Sequence, residues 1–439
     1  MDCEGRIWTR DRRHALIPGG AHTFSRGDDQ FPDNAPSILT RGSGAYVWDD
    51  SKIRYIDWVM GLKSVSIGHA DERIDLAAFQ SARDGVNLSR PSPLEFEVAS
   101  QLRQMIPSAE MVKFGKNGSD ATAAAVRLAR AFTGRDVILR CANDPFHSVH
   151  DWFIGSTVMS AGVTEETKSN TSKFNYNDIV SLELVYERFS GNVAAVILEP
   201  MNFAFPDPGF LEDIRSFCND KGVVMIFDET LTGFRFAPGG AQSYFGVTPD
   251  LSTFGKALAN GYPLSALVGR SEIMSLGGLD HQHDRVFLMS STYGPERVSL
   301  AAAYATIERL ADGDVIDENW RIGFQLTKFI SSIAEDVGLS RRLLVVGADV
   351  SPFIFFTDGQ GKDDFALKTL FLQEMASRRI LMTAAPCISA SHRGVVVDDT
   401  MTALRESICA LGTAVESGTV SSCLTGLAVK PVFRRRNEQ

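Results

Sequence analysis

Between about residues 71 and 319, short runs of apolar residues alternate with longer stretches of helical period. Met111-Val112-Lys113-Phe114, Val137-Ile138-Leu139, residues 193–198 (VAAVIL) and Val223-Val224-Met225-Ile226-Phe227 read as strands. Residues 93–106, 119–132, 210–220 and 298–311 place their apolar residues at helical spacing, and Thr133-Gly134 ends the second of them. Strands apolar on both faces must be covered on both faces, and strands joined through helices run parallel. The pattern therefore predicts an α/β fold with a mostly parallel sheet covered by helices, in a large domain over 71–319. Residues 1–70 read as a short amphipathic lead, a polar loop and a hairpin. Its strands are Ala45-Tyr46-Val47-Trp48 and Arg54-Tyr55-Ile56-Asp57-Trp58, joined by Asp49-Asp50-Ser51-Lys52. This segment is expected to join a small C-terminal α+β domain over 320–439. That domain is predicted as a helix at 320–337, strands at 343–349 and 352–357, and helices at 363–378 and 400–415. The basic tail from Lys430 to Arg436 is expected to pair with acidic surface.

Composition removes several function classes. A formal net charge of −10 argues against a nucleic-acid partner, which favours a basic face. No apolar stretch reaches the ~18 residues of a membrane-spanning helix. The opening MDCEGRIWTRDRRH lacks the apolar core of a secretory signal. The six cysteines (Cys3, Cys141, Cys218, Cys387, Cys409, Cys423) are scattered and form no CxxC pair, which suggests neither a zinc knuckle nor a disulfide framework. A cytoplasmic setting is the expectation.

Four short segments carry chemistry. Lys116-Asn117-Gly118-Ser119-Asp120 lies between a strand and a helix, where a glycine and free helix N–H groups can cradle a phosphate. Its ordinary alternative is a plain helix cap made by Ser119 or Asp120. Asp228 and Glu229 end an apolar strand, and parallel sheets bind ligands at the carboxyl ends of their strands. An acid there is poorly solvated and wants a cationic partner, such as a protonated ring nitrogen. Lys256 follows an apolar stretch and Gly255. Partial desolvation would lower its pKa and make the amine nucleophilic, although most single lysines are surface residues. In Pro145-Phe146-His147-Ser148-Val149-His150-Asp151-Trp152, Phe146 could stack on a flat ring. His147 and His150 have metal-pair spacing but no third ligand nearby, so packed loop histidines are the expectation and no metal is called. A phosphate cup, a stacking aromatic, a strand-end acid and a lysine 28 residues after that acid are the parts a pyridoxal phosphate site needs.

In that order these segments resemble the class III (fold type I) aminotransferases that depend on pyridoxal 5′-phosphate, and most of all the glutamate-1-semialdehyde 2,1-aminomutase branch. The resemblance runs through GSGAYVWDDSKIRYIDW (42–58), SIGHAD (66–71), FGKNGSDATAAAVRLARAFTGRD (114–136), VILEP (196–200), MIFDETLTGFR (225–235), PDLSTFGKALANGYPLSALVGR (249–270) and SSTYGPERVSLAAA (290–303). It implies a seven-stranded type of sheet in the large domain. It implies that Lys256 carries the Schiff base and shuttles a proton, and that Asp228 pairs with the ring nitrogen. It also implies that Gly118 and Ser119 hold the phosphate, that Phe146 stacks on the ring, and that Thr292 reaches the phosphate across a homodimer interface. Arg26 matches the arginine that grips a substrate carboxylate in the mutase, and Glu199 matches an acid on the substrate side. Three positions depart from the family pattern. Phe146 stands where Tyr is usual, Asn117 replaces a hydroxyl residue in the cup, and Thr230 replaces Val or Ile on the other ring face.

The expected activity is an aminotransferase that moves an amino group between a small-molecule donor and a carbonyl acceptor, with pyridoxamine 5′-phosphate as the aminated cofactor. An aminomutase that shifts the amine within one substrate is the alternative. A non-catalytic cofactor-binding homologue is a weaker one, because Lys256, Asp228, Gly118 and Ser119 are all present. A dehydrogenase is excluded for want of GxGxxG before a helix, and a serine hydrolase for want of GxSxG after a strand.

Overall fold

The computed structural model describes residues 8–189 and 191–436. Cys3 and the start of the chain lie outside them. Seven strands form the main sheet, in the order Met111–Gly115, Ser265–Gly269, Leu251–Phe254, Val224–Glu229, Val193–Leu198, Val137–Cys141 and Thr171–Phe174. Ser265–Gly269 runs antiparallel to both of its neighbours, and the remaining neighbour pairs are parallel.

The sheet is apolar on both sides, as its strands required. Alternate residues of a strand face opposite sides. Ile138, Val224 and Ile226 pack with the alanine-rich face of helix Gly118–Thr133. Val137, Leu139, Met225 and Phe227 pack on the opposite side with helix Phe210–Lys221. Thr171–Phe174 had no apolar run to announce it, and it forms the edge strand beside Val137–Cys141.

A second core gathers Ala45, Ile56 and Trp58 with apolar residues from Ile322 to Val429. There the hairpin strands Tyr46–Asp49 and Arg54–Asp57 lie between Leu39–Ser43 and the short strand Ile380–Leu381. Leu39–Ser43 sits in the segment read as a polar loop. Its residues are exposed or half-buried, so periodicity could not reveal it. The long helix runs Asp314–Asp336, starting six residues before the predicted position, because Gly313 and Asp314 open it. The last helix, Val395–Glu416, also starts early, and the strand pair shortens to Leu343–Val346 and Phe353–Phe356. The basic tail does meet acidic surface, through Arg434 and Asp29. Among the described residues no helix is long and apolar enough to cross a membrane.

After the hairpin the chain makes a left-handed turn. Met60, Gly61, Leu62 and Lys63 have φ of +45°, +61°, +60° and +66°. Backbone hydrogen bonds from Lys63 N–H to the Val59 carbonyl (3.0 Å) and from Ser64 N–H to the Met60 carbonyl (3.1 Å) close it. A non-glycine residue in such a turn costs about 1–2 kcal/mol.

Helix Asp314–Asp336 crosses the backbone at Asp349 very closely. A Cβ at Gly323 would collide with the Asp349 carbonyl, and backbone cannot swing aside as a flexible side chain can. Gly323→Ala is expected to destabilise the protein by about 1–3 kcal/mol. An unchanged denaturant midpoint would show that the two segments are free to separate.

Candidate active site

Strand parity places Asp228. Val224 and Ile226 face the helix Gly118–Thr133, so Asp228 emerges on that same face at the carboxyl end of its strand. Thr253, its register partner in the next strand, donates its hydroxyl to Asp228 Oδ1 at 2.9 Å, and the Thr230 N–H donates to the same oxygen at 3.1 Å. Asp228 Oδ2 accepts from His147 Nδ1 at 2.8 Å. The other ring nitrogen of His147, Nε2, lies 3.2 Å from Asp144 Oδ2. Asp144 is fixed in turn by the Glu199 N–H (2.8 Å) and the Asn202 amide.

This chain of groups is buried, and burial would neutralise each member alone. For His147, burial favours the neutral ring. The nearby carboxylates of Asp144 and Asp228, the second through a hydrogen bond, outweigh it and raise the pKa to about 10. For Asp228, burial favours the protonated acid, but the hydrogen bond and charge of His147 outweigh it and hold the pKa below the ordinary value. An imidazolium thus sits between two carboxylates, and Asp228 stays ionised at neutral pH.

Lys256 lies two residues beyond strand Leu251–Phe254, with φ of +40°, a left-handed conformation that is uncommon for a residue with a side chain. Its ammonium has no hydrogen-bond or ion-pair partner among the described residues. Burial lowers its pKa. The charges of Glu199 and Asp228 oppose that shift, Arg235 adds to it, and the balance stays below the usual lysine value. Glu199 is buried just after strand Val193–Leu198, which pairs with the strand that carries Asp228, and its Oε2 is unpartnered. Burial, reinforced by the charges of Asp144 and Asp228, raises its pKa well above the carboxylate range.

The expected phosphate cup is the start of helix Gly118–Thr133. Asn117 takes the capping position, and Asp120 accepts from the N–H groups of Lys116 (3.0 Å) and Asn117 (2.9 Å). Ser119 is therefore not needed as a cap. Its buried Oγ accepts from the Val149 N–H at 3.0 Å, a bond that leaves its own proton free to donate. A Cβ at Gly118 would come within 2.7 Å of Thr230 Cγ2, so only glycine lets the helix start lie against the strand end. Thr230 Oγ1 is buried without a hydrogen-bond partner.

The remaining candidates lie further out. Phe146 is exposed and packs edge-on against Phe153, with Phe433 of the tail beside it. Thr292 is exposed, and its carbonyl accepts from the Asn87 amide at 3.2 Å. Arg26 is exposed and lines a separate cavity of about 940 Å³ with Arg13, Asp57 and His69, in which Lys256 and Asp228 take no part. His150 is exposed rather than packed, because it precedes the short helix Asp151–Ile154 on its outer side. His147 is packed as expected, but its partnership with Asp228 spans 81 residues and had no local signal. Glu229 points to the opposite face and accepts from the backbone of Ala241 and Gln242, a structural role. Among the described residues no group of acids, histidines and cysteines could hold a metal ion.

Residues 29–348 match the family model of the class-III aminotransferases. The chain is 32% identical to the 3-aminobutyryl-CoA aminotransferase of Cloacimonas acidaminovorans over 402 residues, covering 90% of this chain and 94% of that one. It is 31% identical to the glutamate-1-semialdehyde 2,1-aminomutase of Roseiflexus castenholzii over 431 residues, covering 92% of this chain and 97% of that one. The fold superposes on the FumI protein of Sphingopyxis sp. MTA144, solved in its PLP internal aldimine form, with a TM-score of 0.85 and 27% identity over 93% of this chain and 96% of that one. This chain belongs to the class III aminotransferase family.

His147 acquires its raised pKa only on folding. The stabilisation is complete below the unfolded value of 6.5 and is lost as pH rises through about 10. Urea midpoints of the cofactor-free protein are expected to fall across that window. The fall should be smaller in His147→Gln, and parallel curves for the two proteins would dismiss the ion triad.

Proposed function

We propose that Lys256 and Asp228 are the catalytic pair of this class III aminotransferase, a pyridoxal-phosphate-dependent enzyme that moves an amino group between an amino donor and a carbonyl acceptor. The observation that carries the assignment is a half-buried amine without a partner, within electrostatic reach of an acid kept ionised by its own buried imidazolium. The surrounding residues suit a flat phosphorylated pyridine. Thr230 Oγ1 and Glu199 Oε2 are orphaned polar atoms in the same cluster, and the glycine start of a helix lies against the strand end. Bound there, pyridoxal 5′-phosphate supplies an aldehyde that captures amines and a ring that accepts the electron pair left by a departing α-proton, and its aminated form, pyridoxamine 5′-phosphate, carries the nitrogen to the acceptor.

In this reading Lys256 Nζ would hold the cofactor's aldehyde. Its lowered pKa favours the free amine, which could then act as the base that takes the proton from the substrate α-carbon. Asp228 holds the proton on the ring nitrogen, while His147 and Asp144 keep its carboxylate charged and aimed. Asn117, Gly118 and Ser119 hold the phosphate. Phe146 and Thr230 cover the two ring faces, and Glu199 stands on the substrate side as a neutral acid. A homodimer completes the site with Thr292 of the partner subunit. Exposed Leu76, Phe79, Val86, Leu88, Phe96 and Tyr293 support this by offering apolar surface for a second copy. A monomer in sedimentation analysis at working concentration would end that part of the reading.

An intramolecular amine shift is the second reading, and the mutase relative favours it. Single-turnover conversion by the pyridoxamine form, without any second keto acid, would select it.

Borohydride treatment of the cofactor-loaded protein is expected to label Lys256 alone. Lys256→Ala should lose at least ~10² to 10⁴ of the turnover rate, the usual contribution of a positioned acid–base group. Asp228→Asn should still bind cofactor yet slow the half-reaction at least ~10²-fold. Label on another lysine, or near-normal turnover in either variant, would refute the assignment.

A further inference from the structure

The left-handed turn after the hairpin delivers one side chain into the interior, that of Lys63. Its side chain is buried, with the residue 7% exposed. Its ammonium donates to Ser351 Oγ at 3.1 Å and lies 4.3 Å from the centre of the Phe353 ring. No carboxylate comes within ion-pair distance of it among the described residues. One hydroxyl and one ring face leave an ammonium with three N–H donors under-satisfied in a dry place.

The neighbourhood deepens the imbalance. The Arg235 guanidinium is also buried, and it donates to the Lys63 carbonyl at 2.7 Å, to the Leu231 carbonyl at 3.1 Å and to Cys387 Sγ at 3.7 Å. No carboxylate pairs with it either. The charges that reach Lys63 are those of Arg235 and Lys256, which repel it, and those of Cys387 and Glu199, which attract it. Burial comes first among the causes that bring its pKa down to about 7, with Arg235 next. Glu199 is biased toward its neutral form and Cys387 toward its thiol, so neither offsets Arg235 or the protonated form of Lys63. Three non-glycine residues of the turn, Met60, Leu62 and Lys63, are held at positive φ in this arrangement, and such strain persists where the surroundings require it.

We infer that Lys63 binds an anionic group of the substrate, a carboxylate or a group of like charge. The inference rests on the aminotransferase reading and adds to it a specificity residue on the substrate side of the site. The incoming anion supplies the missing counter-charge and takes the two N–H donors that Ser351 leaves free. An amine lacking an acidic group leaves the ammonium unpaired, so the enzyme favours amino acids over simple amines.

The test uses the cofactor-loaded full chain and butanoate as probe, with neutral butanamide as control. Binding is read from the cofactor absorbance. Wild type is expected to respond saturably to butanoate. Lys63→Met should weaken that affinity by about tenfold or more, the worth of one hydrogen bond to a charged group. Lys63→Arg should keep it within about threefold. It should also remove the part of the pH dependence that Lys63 adds near 7, since guanidinium stays charged. Butanamide should respond alike in all three proteins. Equal butanoate affinity in wild type and Lys63→Met, or no saturable response in wild type, overturns the assignment. Should Lys63→Met fail to fold, Lys63→Gln replaces it. Failure of both, with Lys63→Arg intact, would make Lys63 a structural cation and also ends the assignment. Failure of the aminotransferase reading itself looks different, because the protein would then not attach the cofactor at Lys256.

Discussion

The site depends on a single buried imidazolium. Asp228 lies at the end of an apolar strand, where an isolated carboxylate would take up a proton and lose its power to hold a charge on a ligand. His147 prevents this, and Asp144 prevents His147 from surrendering its proton in turn. The three groups form an odd-numbered charge chain with one net negative charge. That residual charge is what a protonated ring nitrogen can neutralise. Replacing the imidazolium by an apolar group of similar shape would leave two desolvated acids side by side, a state in which at least one of them is protonated.

The sheet explains why these groups meet. Asp144 follows strand Val137–Cys141, Glu199 follows Val193–Leu198, Asp228 ends Val224–Glu229, and Lys256 follows Leu251–Phe254. These four strands are consecutive neighbours in the sheet and all run parallel. Their carboxyl ends therefore deliver the polar residues of four separate segments to one edge. The antiparallel strand Ser265–Gly269 lies beyond them and sends its own carboxyl end the other way.

This geometry also marks what could be read from the chain alone. Runs such as VAAVIL and VVMIF are legible because a strand buried on both faces has no polar alternation, and the helix over 119–132 is legible from its alanine-rich stripe. Asp228 and Lys256 stand out because polar residues that end apolar runs are conspicuous. His147 was visible as a residue but not as a partner, since its contact with Asp228 arises only when non-adjacent segments of the chain assemble side by side. Leu39–Ser43 is an edge strand with no buried face, so it left no pattern. The early starts of the helices at Asp314 and Val395 follow glycines and polar first turns, which hydrophobic spacing does not register. The Met60–Lys63 turn is least legible of all. Only Gly61 in it favours a left-handed backbone, and the three residues around it adopt that conformation under tertiary constraint.

The buried charges divide into two poles. Asp144, His147 and Asp228 carry a net negative charge where a ring nitrogen would sit, whereas Arg235, and Lys63 in its protonated form, carry positive charge with no acid paired to either. Lys256 and Glu199 each interact electrostatically with groups of both poles. The cationic pole and desolvation press Lys256 toward the free amine, and the anionic pole and desolvation press Glu199 toward the neutral acid. A ligand with a protonated ring at one end and an anionic group at the other would cancel both fields at once. Neither end alone would do so, and the two central groups would then be free to exchange protons with the substrate rather than to balance charge for the protein.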